Sequence, residues 1–105
     1  MDNFKVVYKI LHTLDKAADY DEPDLSGISA ESLRMSKARW TMIWRAILDK
    51  GYVAGVKYVS TAASDDIVFI NPRLTLDGME YLENNSTMSK IARTLKGVKD
   101  MMPGL

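Results

Sequence analysis

Apolar residues recur at three- and four-residue spacing near the start of the chain. Phe4, Val7, Tyr8, Leu11 and Leu14 fall on one stripe and predict a helix over Phe4–Ala18. His12 lies off that stripe and reads as a surface residue. Tyr20–Gly27 breaks the pattern with Pro23, Ser26, Gly27 and the acids Asp21, Glu22 and Asp24, so it reads as a loop. Ser29 suits the N-cap of a short helix from Ala30 to about Arg34, with Glu31 in its first turn. Met35 and Ser36 make a brief turn. Ser36 then caps a longer helix carrying Trp40, Ile43, Trp44, Ile47 and Leu48 on one face. Gly51, just after Lys50, fits a left-handed C-cap.

The period then changes. Tyr52–Val59 and Asp66–Asn71 are rich in β-branched and aromatic residues and predict two strands joined by the polar connector Ser60–Asp65. Gly55 inside the first strand predicts a bulge or a close backbone approach, and Pro72 is expected to end the second. Thr75 caps a further helix over Leu76–Asn84, with Leu76, Met79, Tyr81 and Leu82 as packing residues. Asn84 and Asn85 break it. Ser86 caps a last helix to about Met102, stopped by Pro103-Gly104. In that last stretch Met88, Ile91, Ala92, Leu95, Val98 and Met102 fall on one side, and Lys90, Arg93, Lys96 and Lys99 on the other.

The expected fold is mainly α with a small β-hairpin. The order is that of a winged helix-turn-helix with two added C-terminal helices, spanning residues 1–105 as a single domain. The helix-turn-helix covers about 29–50, the wing about 52–71 and the C-terminal helices about 75–102.

Three segments extend this reading. They are Glu31-Ser-Leu33 leading to Arg39-Trp40, then Lys50-Gly-Tyr-Val-Ala-Gly-Val56, then Leu74-Thr-Leu-Asp-Gly-Met-Glu-Tyr-Leu82-Glu-Asn-Asn-Ser86. Together they resemble the YjcQ family of small bacterial and phage winged-helix proteins. The last segment is the most specific, with Thr75, Gly78, Tyr81 and Leu82 followed by a turn into a basic amphipathic stretch. The resemblance spans nearly the whole chain apart from the acidic loop Asp19–Leu25. It implies a winged-helix fold and a frequent prophage setting. It implies no activity and no binding residues.

Composition narrows the function classes. The chain has 105 residues, 47% of them hydrophobic, enough for one core. Cysteine is absent, which excludes disulfides, thiolate metal sites and thiol nucleophiles. The lone His12 cannot build a multi-histidine metal site. No apolar run approaches a membrane span, and the start lacks a basic segment followed by an apolar run, so a cytoplasmic protein is expected. The acids of Asp19–Asp24 do not follow calcium-loop spacing, and no phosphate-binding or dinucleotide glycine motif occurs. The chain is therefore expected to be non-catalytic, without cofactor, metal or small-molecule substrate.

Net charge is zero, yet charge is segregated. Bases dominate Arg34–Lys57, and acids dominate Asp15–Glu31 and Asp65–Glu83. Two binding readings stay open. In the first, the partner is double-stranded DNA. Lys37, Arg39, Thr41 and Arg45 on the longer helix reach base edges or phosphates, and Lys57 on the wing touches phosphate. Asp65 and Asp66 at the hairpin tip oppose that reading. In the second, the chain is a protein-interaction module or homodimeric adaptor. It would use a strip of Ala38, Met42 and Ala46, or pair its last helix with a second copy. Trp40 and Trp44 could stack on bases, but their spacing with Ile43 and Ile47 assigns them to the core.

Overall fold

Asp2 starts the first helix. Its Oδ1 accepts the Phe4 N–H at 2.8 Å, satisfying one of the unpaired donors at the N-terminus of α1 (Asn3–Ala17). The computed structural model describes residues 2–86. The buried row of α1 is Val6, Ile10 and Leu14, with Leu11 beside it. This corrects the expected stripe. Phe4 is 67% exposed, while Val7 and Tyr8 are half-buried. The spacing of Val6, Ile10 and Leu14 aligns a continuous aliphatic row on the core. That rotation leaves Phe4 beyond the core's edge. His12 is exposed and stacks on Tyr8 at 5.8 Å.

One side chain of the acidic loop bonds to the backbone that follows it. Asp24 Oδ1 accepts the Ser26 N–H at 3.0 Å and leads into a 3-10 turn at Ser26–Ile28. The helix expected over Ala30–Arg34 is instead a single closed turn. Ser29 still caps it, its Oγ accepting the Ser32 N–H at 3.1 Å. Leu33 N–H bonds the Ser29 carbonyl, Arg34 N–H that of Glu31, and Met35 N–H that of Ala30. This last pair of bonds, with Arg34 at φ 57°, is a Schellman closure. It stops the turn before a second one forms, and so short a helix has little to offset its nucleation cost.

Ser36 opens α2 (Lys37–Asp49), its Oγ accepting the Arg39 N–H at 3.1 Å. Trp40, Ile43, Trp44 and Ile47 are buried, as their spacing predicts. The Trp40 indole N–H donates to the Ile28 carbonyl at 2.9 Å and fixes α2 to the 3-10 turn. Gly51, at φ 73°, closes the helix, with Gly51 N–H to Leu48 O and Tyr52 N–H to Ile47 O.

A two-stranded antiparallel hairpin follows, β1 (Val53–Ser60) with β2 (Asp65–Leu74). Val56 faces Phe69, Tyr58 faces Ile67 and Ser60 faces Asp65. The register shifts between Ala54 and Val56, at Gly55 with φ 76°. β2 does not stop at Pro72, as expected from sequence. It resumes pairing with Arg73 opposite Ala54 and Leu74 opposite Val53. Pro72 falls within the irregular stretch, where no ladder donor is required of it. Thr61 organises the tip, its Oγ1 accepting from the Ala63 and Ser64 N–H groups.

Thr75 caps α3 (Leu76–Asn84) by accepting the Gly78 N–H at 3.1 Å, and its hydroxyl donates to the Gly51 carbonyl. Tyr81 lies on Tyr52 with ring centres 4.9 Å apart. Leu76 and Met79 are not packed as expected, being 81% and 50% exposed. The inward face is instead Gly78, Tyr81 and Leu82, because Gly78 sits directly against the Tyr52 carbonyl. The helix expected from Ser86 to about Met102 lies outside the described residues. α1, the 3-10 turn, α2 and β1 close one hydrophobic core, with Trp44, Ile10 and Leu11 fully buried. The described chain is thus mainly α with a small β-hairpin, as its sequence pattern predicts.

Candidate functional site

The side of α2 away from the tryptophans faces an open groove of about 620 Å³, closed at one end by the hairpin tip. Ala38, Met42 and Ala46 form an exposed apolar strip along it. Lys37 and Arg45 supply positive charge, and Asp49 and Asp65 supply negative charge, so these lining charges balance. Ser64 completes the tip side.

Lys37 stands in the first turn of α2. Its Nζ lies 3.4 Å from Asp66 Oδ1 on β2. The same carboxylate receives the Ser64 hydroxyl on Oδ2 at 2.9 Å. The Ser64 bond, then Lys37, holds the Asp66 carboxyl below its ordinary value. Arg45 places its guanidinium 4.4 Å from the centre of the Tyr58 ring, a cation–π contact between α2 and β1.

The other predicted positions separate from this groove. Arg39 donates to Asn3 Oδ1 at 3.1 Å and so points to the start of α1. Lys57 is exposed opposite Val68. It neighbours Tyr58 in the strand, so the two side chains take opposite sheet faces. Thr41 lines the groove but is only 7% exposed. Its expected outward position is therefore corrected. The hairpin packs along α2, and that coverage is invisible in the pattern of the helix alone. Thr41 Oγ1 is buried without a hydrogen-bond partner among the described residues.

The structure thus gathers Lys37, Thr41 and Arg45 and leaves Arg39 and Lys57 apart. Sequence reasoning missed Tyr58 as the platform for Arg45. Its alternation with Val56 was the available signal. It placed Asp66 at the tip but gave no sign of the pairing with Lys37, which lies 29 residues away.

Elsewhere, the Asp24 carboxyl is lowered by hydrogen bonds from Ser26, and burial raises the Tyr81 phenol. Asp24 therefore has a local structural role in the acidic loop. Among the described residues, no group of three or more histidine, aspartate or glutamate side chains is placed to hold a metal ion. No helix among them is long and apolar enough to cross a membrane.

Residues 8–101, which carry the whole groove, match the family model described as YjcQ protein. The chain belongs to the YjcQ family. Within it, the chain is similar to "Uncharacterized protein YjcQ" of Bacillus subtilis (strain 168), with 41% identity over 54 residues. That alignment covers 49% of this chain and 52% of the relative, so the chain spans about half the length of the YjcQ relative it matches. No solved structure matches the chain.

Proposed function

We propose that this chain is a non-catalytic, cytoplasmic winged-helix protein that binds duplex DNA through the outer face of α2. The observation that carries the reading is the placement of Lys37 and Arg45. They lie two turns apart on an exposed helix face, and a hairpin tip stands beside that face. A tight turn, then α2, then a hairpin is the order in which winged helices present a recognition helix and a wing. In a major groove, Arg45 is positioned for a base edge or phosphate and Lys37 for phosphate. The prophage setting implied by the family resemblance suits a small transcription-associated protein.

The test is a titration of purified protein against a random-sequence duplex pool with selection, at two salt concentrations. Binding that weakens with salt and enriches a sequence supports the reading. Arg45→Ala is expected to reduce affinity by roughly 1–3 kcal/mol, the range for a base-reading arginine. Its melting temperature should fall by no more than a few degrees, since Arg45 is exposed and loses only its cation–π contact with Tyr58. Unchanged affinity would remove Arg45 from the interface.

The balanced charge of the groove and the Ala38–Met42–Ala46 strip favour a second reading, docking of another protein or a second copy of this chain. Under it, Met42→Glu places a charge on the strip and abolishes the complex, seen as loss of the larger species in sedimentation velocity. Met42 is 46% exposed, so the fold should survive. A complex unaffected by Met42→Glu would rule out this strip as its interface.

A further inference from the structure

The hairpin tip and the start of α2 are joined by one ion pair among the described residues, Lys37 to Asp66. Two features set it apart from a structural tie. At 3.4 Å it is longer than a tight charge-assisted bond, and both side chains are about half or more exposed, 60% and 49%. Such a contact contributes little to folding. What it does is occupy the Lys37 ammonium.

The groups around Asp66 are informative. One carboxylate oxygen takes an ammonium from α2, and the other takes the Ser64 hydroxyl. Lysine and serine are common donors to the phosphate oxygens of nucleic acids. The neighbouring Asp65 differs. It accepts the Ser60 hydroxyl at 2.7 Å and makes no ion pair among the described residues.

Building on the DNA reading above, we infer that Lys37 and Ser64 form a subsite for one backbone phosphate, and that the Asp66 carboxylate holds this subsite in the free protein. On binding, a duplex phosphate replaces the carboxylate on Lys37. The loose, solvated geometry makes that exchange inexpensive. The hairpin acid that opposes DNA on sequence grounds then becomes an internal competitor, lowering nonspecific affinity by keeping one cation engaged.

The experiment is a double-mutant cycle on the full chain, with K37Q, D66N and K37Q/D66N titrated against a random-sequence duplex over a series of salt concentrations. D65N controls for loss of a nearby negative charge, and R45A controls for the DNA reading. D66N is expected to tighten binding about fivefold in the parent, within the range of coupling for contacting residues. The slope of the salt dependence should stay close to that of the parent, since Lys37 meets the same phosphate in both complexes and only the competing carboxylate is removed. In the K37Q background D66N should give less than about a twofold gain, and D65N no more than that in either background. Equal gains from D66N with and without Lys37 would show simple repulsion and overturn the subsite while leaving the DNA reading intact. Binding lost in R45A but unmoved by D66N would do the same. No salt-dependent duplex binding by the parent or by D66N would overturn both.

Discussion

Trp44→Ala will lower stability by about 3–5 kcal/mol, the range for removing a buried tryptophan or phenylalanine side chain. Trp44 is fully buried, and its ring lies 5.2 Å from Phe69 and 6.2 Å from Trp40. It therefore joins α2 to β2. Among the described residues the two-stranded hairpin has no other sheet to support it, and it depends on that packing. Domains of this size have about 5–15 kcal/mol in total, so the loss takes a large share of it. A fall in melting temperature of roughly 15–30 °C should accompany it. Thermal and urea unfolding followed by circular dichroism checks the value. A shift under about 1 kcal/mol would mean that the site collapses around the void or that the hairpin does not pack as described.

The second large effect is expected at Gly55. Its φ of 76° is unfavourable for any side chain, and a Cβ there would run into the backbone carbonyl of Asn71 across the bulge. Gly55→Ala should cost roughly 3 kcal/mol or more, combining left-handed strain with a backbone displacement. Gly51→Ala is the matched comparison. Gly51 has a φ of 73°, but a Cβ there meets nothing within 4 Å. Its cost should be confined to the conformational penalty of about 1–2 kcal/mol. Urea midpoints of the two variants separate crowding from dihedral strain. Equal costs would show that the Gly55–Asn71 approach relaxes freely.

Features governed by neighbouring residues were legible in the chain. Ser29, Ser36 and Thr75 each accept the N–H three residues ahead, as capping chemistry predicts. Gly51 and Gly55 both take positive φ at the positions where a C-cap and a bulge were expected. The buried face of α2 followed from its spacing. Features set by distant partners were not legible. The rotation of α1 that exposes Phe4 depends on which helix face meets the core. The exposure of Leu76 and Met79 depends on Gly78 docking against Tyr52. The short helix failed because Arg34 turned left-handed, which nothing in its residue type announces.

The candidate site divides in the same way. That Ala38, Met42 and Arg45 lie on the outside of α2 was readable from helical periodicity. That Thr41 would be buried, that Arg39 would turn to Asn3, and that Asp66 would engage Lys37 all depend on residues brought close only by the fold. Adding basic residues along a helix overstates the charge available to a ligand when some of them already have acidic or amide partners.

The indole arrangement has an optical consequence. Both tryptophans of the chain are buried in α2, and their rings meet edge to face. One indole N–H is bound to the Ile28 carbonyl, while the other has no partner among the described residues. Neither ring lines the α2–hairpin groove. Native emission therefore comes from two chromophores in dissimilar polar surroundings, both shielded from water and set apart from the surface where a ligand would sit. Intrinsic fluorescence in this protein is a gauge of whether the hairpin is seated on α2, read separately from whether the groove is filled.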